Sequence, residues 1–259
     1  MITLLDVEMT TKREDVPRLR YDLLAHLYKC AEGIPAADNA HGMSTPPPFR
    51  IKMLAHAGYG YRVRIAVLDD DVAMALLWRL QPGDQGAPQV FVESVGKITE
   101  VSWIQLAKAG ERIDAARPDI EMEALTPCSF RQRHDGELVS FPYGYHVLAS
   151  ARKTWVAFGD APLPPIPAEH AVLGAAAGWR TGKFEAPPGL LLRGYVGDMH
   201  YRVPHGVSHA GVGAAFLLAC LAGVGRRAAW GAGTLRPKGA LAEAAAGMGI
   251  GGEVWAWAG

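Results

Sequence analysis

Apolar and polar residues alternate along residues 2–9, which predicts a strand at the start of the chain. From Asp15 the spacing becomes helical. Leu19, Leu23, Leu24, Leu27 and Tyr28 form one apolar stripe, and Pro17 suits a first helical turn. Gly33 and Pro35 end that helix, and ADNAHGMSTPPPF reads as a loop whose prolines fix an extended path into a strand at 49–54. Residues 61–68 alternate again and predict a partner strand. Asp69, Asp70 and Asp71 then open a helix over 72–80, with acids at the positive end of its dipole. A strand at 89–102, a short helical turn at 104–108 and a strand at 119–125 complete this half.

The second half repeats the order. A helix is expected over 141–158, then the PLPPIP loop, then a hairpin formed by 190–195 and 198–203 around Gly197. Ser208 is a candidate N-cap for the apolar helix ending at Ala222, and a glycine-rich turn leads to a last strand at 234–236. Each half approximates strand, helix, two strands, helix, strand. No residue-level repeat accompanies this order. It predicts an α+β fold of two tandem ferredoxin-like units, over residues 1–125 and 126–259.

Composition adds little, but the distribution of charge adds more. The chain is 49% hydrophobic and 20% charged, with 26 basic residues against 26 acidic ones. That balance argues mildly against a nucleic-acid binder, since phosphates favour an excess of Lys and Arg. Between Asp38 and Asp69 there is no carboxylate, yet Arg50, Lys52, Arg62 and Arg64 fall there. Between Asp198 and Glu243 there is again none, while Arg202, Arg226, Arg227, Arg236 and Lys238 occur. Two such stretches suggest one positive face on a neutral body, although solvated faces also look like this.

Cys30, Cys128 and Cys220 lie far apart without metal-type spacing, which fits buried reduced thiols in a cytoplasmic protein. The first residues read as a strand and not as a signal peptide. The apolar run 212–225 is too short to span a bilayer, so no membrane association is expected.

The most specific feature is the run 223–233, GVGRRAAWGAG. Glycine lets backbone N–H groups approach a phosphate, and Arg226 and Arg227 could add charge-assisted contacts. A structural turn packed under Trp230 fits the same residues. A dinucleotide fingerprint fits only loosely, through Gly223, Gly225 and Ala228, because the helix here precedes the glycines.

This run, with two glycines one residue apart followed five residues later by a second such pair, resembles the C-terminal signature of the repeat-associated (RAMP) superfamily. Three other segments resemble its CRISPR repeat-processing endoribonucleases. LLRGYVGDMHYRV resembles their central hairpin, and ALTPCSFR with Pro142 and Trp155 their junction and following helix. HGMSTPPPFRIKML resembles their loop in which a His precedes a Pro-Phe strand. The four occur in the family's order, from about Leu19 to Arg236.

The resemblance implies an enzyme that binds the stem-loop of CRISPR repeat RNA, cuts at the 3′ base of the stem and keeps the product. The ribose 2′-OH would attack the adjacent phosphate, so no cofactor or metal is implied; base, acid and charge stabilisation come from the protein. His41 matches the family's catalytic base by its place before the Pro-Phe strand, whereas the residue alone reads as a surface loop histidine. Lys52 could steady phosphate charge, and Tyr28 could act as acid or orient the histidine, although its helical spacing fits core packing equally. Some relatives, including type IV CRISPR members, lack the usual histidine and rely on arginines, which makes Arg20 and Arg50 reserve candidates. His26 and His56 read as structural.

Arg131, Arg133, Arg152, Lys153 and Arg193 could line an RNA groove together with Gly223, Gly225, Arg226, Arg227, Gly231, Gly233 and Arg236. Tyr195 and Tyr201 could stack on bases. The tail carrying Trp255 and Trp257 lies beyond the resemblance, and its residues allow a closing strand, a partner contact or disorder. Expected partners are the repeat RNA, the processed crRNA and subunits of a CRISPR effector complex. The competing readings are a non-catalytic RNA-binding subunit of such a complex and a nucleotide-binding enzyme.

Overall fold

A computed structural model describes residues 1–11, 16–41, 45–57, 60–83, 85–87, 90–113, 119–131, 138–139, 141–166, 173–185, 189–203, 209–251 and 255. β1 (Ile2–Thr11) sits inside the first sheet, antiparallel to β3 (Gly60–Val67) on one side and β5 (Val90–Val101) on the other. β2 (Phe49–Ala57) flanks β3, and the short β4 (Gln85–Ala87) flanks β5, giving the order β2-β3-β1-β5-β4. Leu5, Val63 and Ile65 of the sheet share a buried core with Leu19, Leu23 and Leu27 of α1 (Val16–Cys30) and Val72 and Leu76 of α3 (Asp70–Arg79). Asp69 caps α3 by accepting from the Val72 N–H at 3.0 Å, as the acidic start predicted.

The start of the segment expected to be loop is helical. α2 (Pro35–His41) begins at the proline that ends the preceding turn, because proline is tolerated where no helical N–H is needed.

The strand expected to close the first half belongs to the second. β6 (Asp119–Cys128) pairs with β10 (Leu191–Arg202) and β11 (Leu235–Lys238), so the first sheet ends at Val101 and not near residue 125. α4 (Trp103–Glu111), opened by a Ser102–Gln105 capping box, also packs into the second core through Trp103. β7 (Phe130–Arg131) and β8 (Leu138–Val139) form a small ribbon beyond β6. α5 (Gly144–Phe158) follows, and Trp155 meets Trp103 at 5.1 Å. β10 is one continuous strand with an irregularity around Gly197, not a hairpin; its partner is β9 (Leu173–Glu185). β9 escaped the pattern because its Gly- and Ala-rich half has no alternation of large apolar and polar side chains.

α6 (His209–Ala222) is buried on every side from Val212 onward, which explains an apolar run too short for a bilayer. Among the described residues no helix is long and apolar enough to cross a membrane. The second sheet reads β11-β6-β10-β9, and the first, leaving β4 aside, reads β5-β1-β3-β2. Both follow one ferredoxin-like order, in which the first and third strands of each unit are central. The tail contains α7 (Gly239–Ala246), whose Leu241 and Ala245 join the second core; Trp255 packs against it, and Trp257 lies outside the described residues. Ser208 also lies outside them.

Candidate nucleic-acid cleft

The halves meet where β2 lies beside the C-terminal end of α6 and the glycine run that follows it. Gly223 ends α6, its N–H donating to the Ala219 carbonyl at 2.8 Å with φ near 73°. The remaining glycines let the loop lie directly on neighbouring backbone. A Cβ on Gly225 would overlap the Ser129 carbonyl, and one on Gly233 would overlap the Val224 carbonyl; both residues have positive φ. The N–H groups of Val224, Arg226, Trp230, Gly231, Ala232 and Gly233 donate to carbonyls, and that of Gly225 reaches the Ser150 hydroxyl at 3.3 Å. These groups are spent inside the fold. Gly223, Gly225, Gly231 and Gly233 therefore shape the loop and do not offer a ring of amides to a phosphate.

What the loop does offer is side chains. Arg226 is exposed and Arg227 half-buried, held at φ 60° with its guanidinium 5.9 Å from the Trp230 ring centroid. Burial, with repulsion from Arg226, lowers the pKa of Arg227. Both arginines line a cleft of about 640 Å³ between the halves, together with Tyr28, Arg50, Lys153 and Trp230. No carboxylate stands among its described lining residues. Two adjacent guanidiniums and a lysine without an acid make a site that a phosphodiester would relieve electrostatically.

Tyr28 faces this cleft, edge-on to Phe49 at 4.8 Å, and burial raises its phenol above the ordinary value. At neutral pH it keeps its proton and can donate a hydrogen bond. Ala40 of α2 also lines the cleft, which places His41, the last residue of that helix, beside it; the placement of the His41 side chain lies outside the described residues.

Arg50 forms part of the cleft's inner wall but is buried and engaged. It donates to the Gly223 carbonyl at 3.1 Å and to the Thr154 hydroxyl at 2.9 Å. Lys52 is not in the cleft. It points into the seam beneath, where its ammonium donates to the Cys220 carbonyl at 2.5 Å. Burial, with added repulsion from Arg50 and Arg64, brings its pKa down to about 7. A lysine buried among α6 carbonyls cannot reach a phosphate in the cleft, so the expected charge-stabilising role does not fit its position. Arg20 is also elsewhere, its guanidinium 4.4 Å from the centroid of Phe184 on β9 and its pKa lowered to about 10 by burial.

The other candidates separate by environment. Lys153 and Arg152 are exposed on α5, the former in the cleft, and Arg193 is exposed on β10. Arg236 is paired with Glu123 across the β11–β6 ladder and is not open to RNA. The side chain of Arg131 and the whole of Arg133 lie outside the described residues, as does the side chain of His56. Tyr195 and Tyr201 are buried and donate to the Asp198 and Pro142 carbonyls, so neither can stack on a base. His26 is buried beside Cys30, in keeping with the structural reading of this residue. All three cysteines are buried thiols outside any disulfide. Ser150 and Thr154 support the loop and Arg50; single hydroxyls on a helix gave no sequence signal.

Residues 122–235 match the family described as CRISPR-associated endoribonuclease Cas6. No curated protein matches the sequence. Among solved structures, a Cas6 product complex superposes with a TM-score of 0.71 at 19% identity, over 92% of this chain and 100% of the other. Thermus thermophilus Cas6 gives 0.64 at 19% identity, over 92% and 98%. A Cas6-related gene product of Pyrococcus furiosus gives 0.51 at 9% identity, over 92% and 99%. At these identities the structures speak for the fold. Over residues 122–235 the sequence is thus similar to Cas6 endoribonucleases, and over most of its length the chain shares their fold.

Proposed function

We propose that the protein is a crRNA-processing endoribonuclease that cuts CRISPR repeat RNA in the cleft between its two halves, at the 3′ base of a stem, and keeps the product. The observation that carries this reading is the convergence of the end of α2, Tyr28, Lys153, Arg226 and Arg227 on one cleft with no carboxylate among its described lining residues. His41 removes the proton of the ribose 2′-OH, whose oxygen attacks the adjacent phosphorus. The bond to the 5′ oxygen breaks, and that oxygen takes a proton from an acid, a role that the position of Tyr28 in the cleft lining supports. The products are a 2′,3′-cyclic phosphate and a 5′-OH. Arg226, Arg227 and Lys153 hold the phosphates and offset the charge gathering on them. The nucleophile belongs to the substrate, so hydroxide generated by a metal is not needed. The RNA partner extends naturally to a CRISPR effector complex that receives the bound product.

The test is incubation with repeat RNA in EDTA, beside a substrate whose scissile 2′-OH is replaced by hydrogen. Cleavage of the first and binding without cleavage of the second are expected. Strict dependence on added magnesium, or cleavage of the 2′-deoxy strand, would sink the mechanism. Binding of both without any cleavage would assign the non-catalytic role instead.

A further inference from the structure

Five aromatic rings form a ladder at the start of α5 that runs from the buried Phe130 out to the exposed Tyr143. Tyr143 and Tyr145 are stacked at 5.5 Å and 15°, and Phe130 and His146 at 5.1 Å and 8°. Tyr145 meets His146 at 4.1 Å, and Phe141 meets Tyr143 at 4.7 Å. The ladder is braced from below. The Pro142 carbonyl accepts from the buried Tyr201 hydroxyl at 2.6 Å, and Phe141 lies 6.1 Å from Tyr195. Its outer member is open: Tyr143 is 45% exposed and serves as N-cap of α5 without a side-chain cap hydrogen bond. A core cluster would bury such a ring; here a rigid platform presents one to solvent.

The ladder is continuous with the cleft. A Cβ on Gly225 would lie 3.5 Å from the Phe130 ring, so Phe130 abuts the glycine loop. One turn along α5 from His146, the Ser150 hydroxyl accepts from the Gly225 N–H, and Lys153 lines the cleft a turn later. Ten residues of helix separate Tyr143 from Lys153, about 15 Å. A strand held by Arg226 and Lys153 can therefore continue along α5 to the ladder. A paired base presents only its edges, whereas an unpaired one offers a face for stacking.

Resting on the RNA-processing reading above, we propose that this ladder is a nucleobase site: Tyr143 stacks an unpaired base of the repeat RNA a few nucleotides from the scissile phosphate. The site takes any base, because stacking uses the π-face and not the hydrogen-bonding edge.

The experiment uses repeat RNAs carrying 2-aminopurine at successive unpaired positions, bound to wild type, Tyr143→Ala and Tyr143→Phe. One position should lose fluorescence on binding to wild type and Tyr143→Phe, and keep it with Tyr143→Ala. Affinity for Tyr143→Ala should fall about five- to a hundredfold, with the salt dependence unchanged because no phosphate contact is lost. If RNA is bound and cleaved but no position distinguishes Tyr143→Ala from wild type, the site is refuted and the nuclease reading stands. A flatter salt dependence in Tyr143→Ala would also overturn it, placing a phosphate where a base is proposed. Failure of wild type to bind repeat RNA would remove both.

Discussion

Arg50 and Lys52 stand on β2, and Arg226 and Arg227 stand on the loop after α6. Both pairs come from stretches without carboxylates, and both lie where the two halves meet. Their environments differ. Arg50 and Lys52 are buried; each donates to a carbonyl at the end of α6, where the helix dipole favours cations, and Arg50 also donates to the Thr154 hydroxyl. They hold β2 against α6 and so fix how the α1–α2 side of the cleft faces the glycine loop. Arg226 and Arg227 crowd each other on the cleft side without a carboxylate among its described lining. One pair has its hydrogen-bond acceptors built into the fold. The other is arranged for a counter-charge that must come from outside.

The largest expected effect removes chemistry without touching either pair. His41→Ala should slow single-turnover cleavage by about 10²–10⁴-fold while repeat binding stays within a few-fold. Wild-type rates would take His41 out of the mechanism and leave Tyr28 and the arginines to carry it.

Breaking the buried pair comes next. Arg50→Ala strands the Gly223 carbonyl and leaves the Thr154 hydroxyl only its bond to the Ser150 carbonyl, and should cost about 2–4 kcal/mol in denaturant unfolding. An unchanged midpoint would mean that the seam does not depend on it.

Arg226→Ala with Arg227→Ala tests the open pair. The fold should keep its stability. Affinity should fall roughly ten- to a hundredfold at low salt for every RNA of the same shape, and the salt slope should flatten by about two. Preference between cognate and scrambled stems should hold, since phosphate contacts carry no base identity. Parallel salt lines would make the loop purely structural.

The smallest effect sharpens the comparison through pH. Lys52 has a folded pKa of about 7, below the ordinary lysine value of 10.5, so between those values the unfolded chain binds more protons than the folded one. Its contribution therefore destabilises most below about pH 7 and is relieved as pH rises toward 10.5. Burial dominates, with Arg50 and Arg64 adding repulsion while Cys220 and Cys128 oppose it. Lys52→Met should remove this rise in stability between about pH 7 and about pH 9.5, which unfolding curves at the two values measure. An identical slope in the variant would leave Lys52 without a titration in that window.

The two carboxylate-free stretches suggested one basic face, but pairing across strands dispersed it. Arg62 pairs with Glu8, Arg64 with Asp6, Arg202 with Asp119, and Lys238 with Asp198 and Glu123. Each acid lies far away in sequence, directly opposite in register for Arg62, Arg64 and Arg202, and for Lys238 diagonal on β6 or one strand further on β10. A count along the chain cannot see such partners, because strand register brings together residues 40 to more than 110 positions apart. Arg236 was lost as an RNA contact in the same way.

By itself the sequence determined the main helices and most of the strands, and their order. Helical stripes such as Leu19, Leu23 and Leu27, and the alternation along β1 and β3, follow from periods of 3.6 and 2 that local residues set. The glycine run was legible because positive φ and close backbone approach restrict residue choice at the position itself. Only the tertiary structure decided that β6 joins the second sheet, that Lys52 turns into the seam and that Tyr195 and Tyr201 are core. It alone placed Arg226, Arg227, Lys153 and Tyr28 around one cleft. A strand's partner and a side chain's dielectric surroundings depend on segments distant in the chain, and no local pattern encodes them.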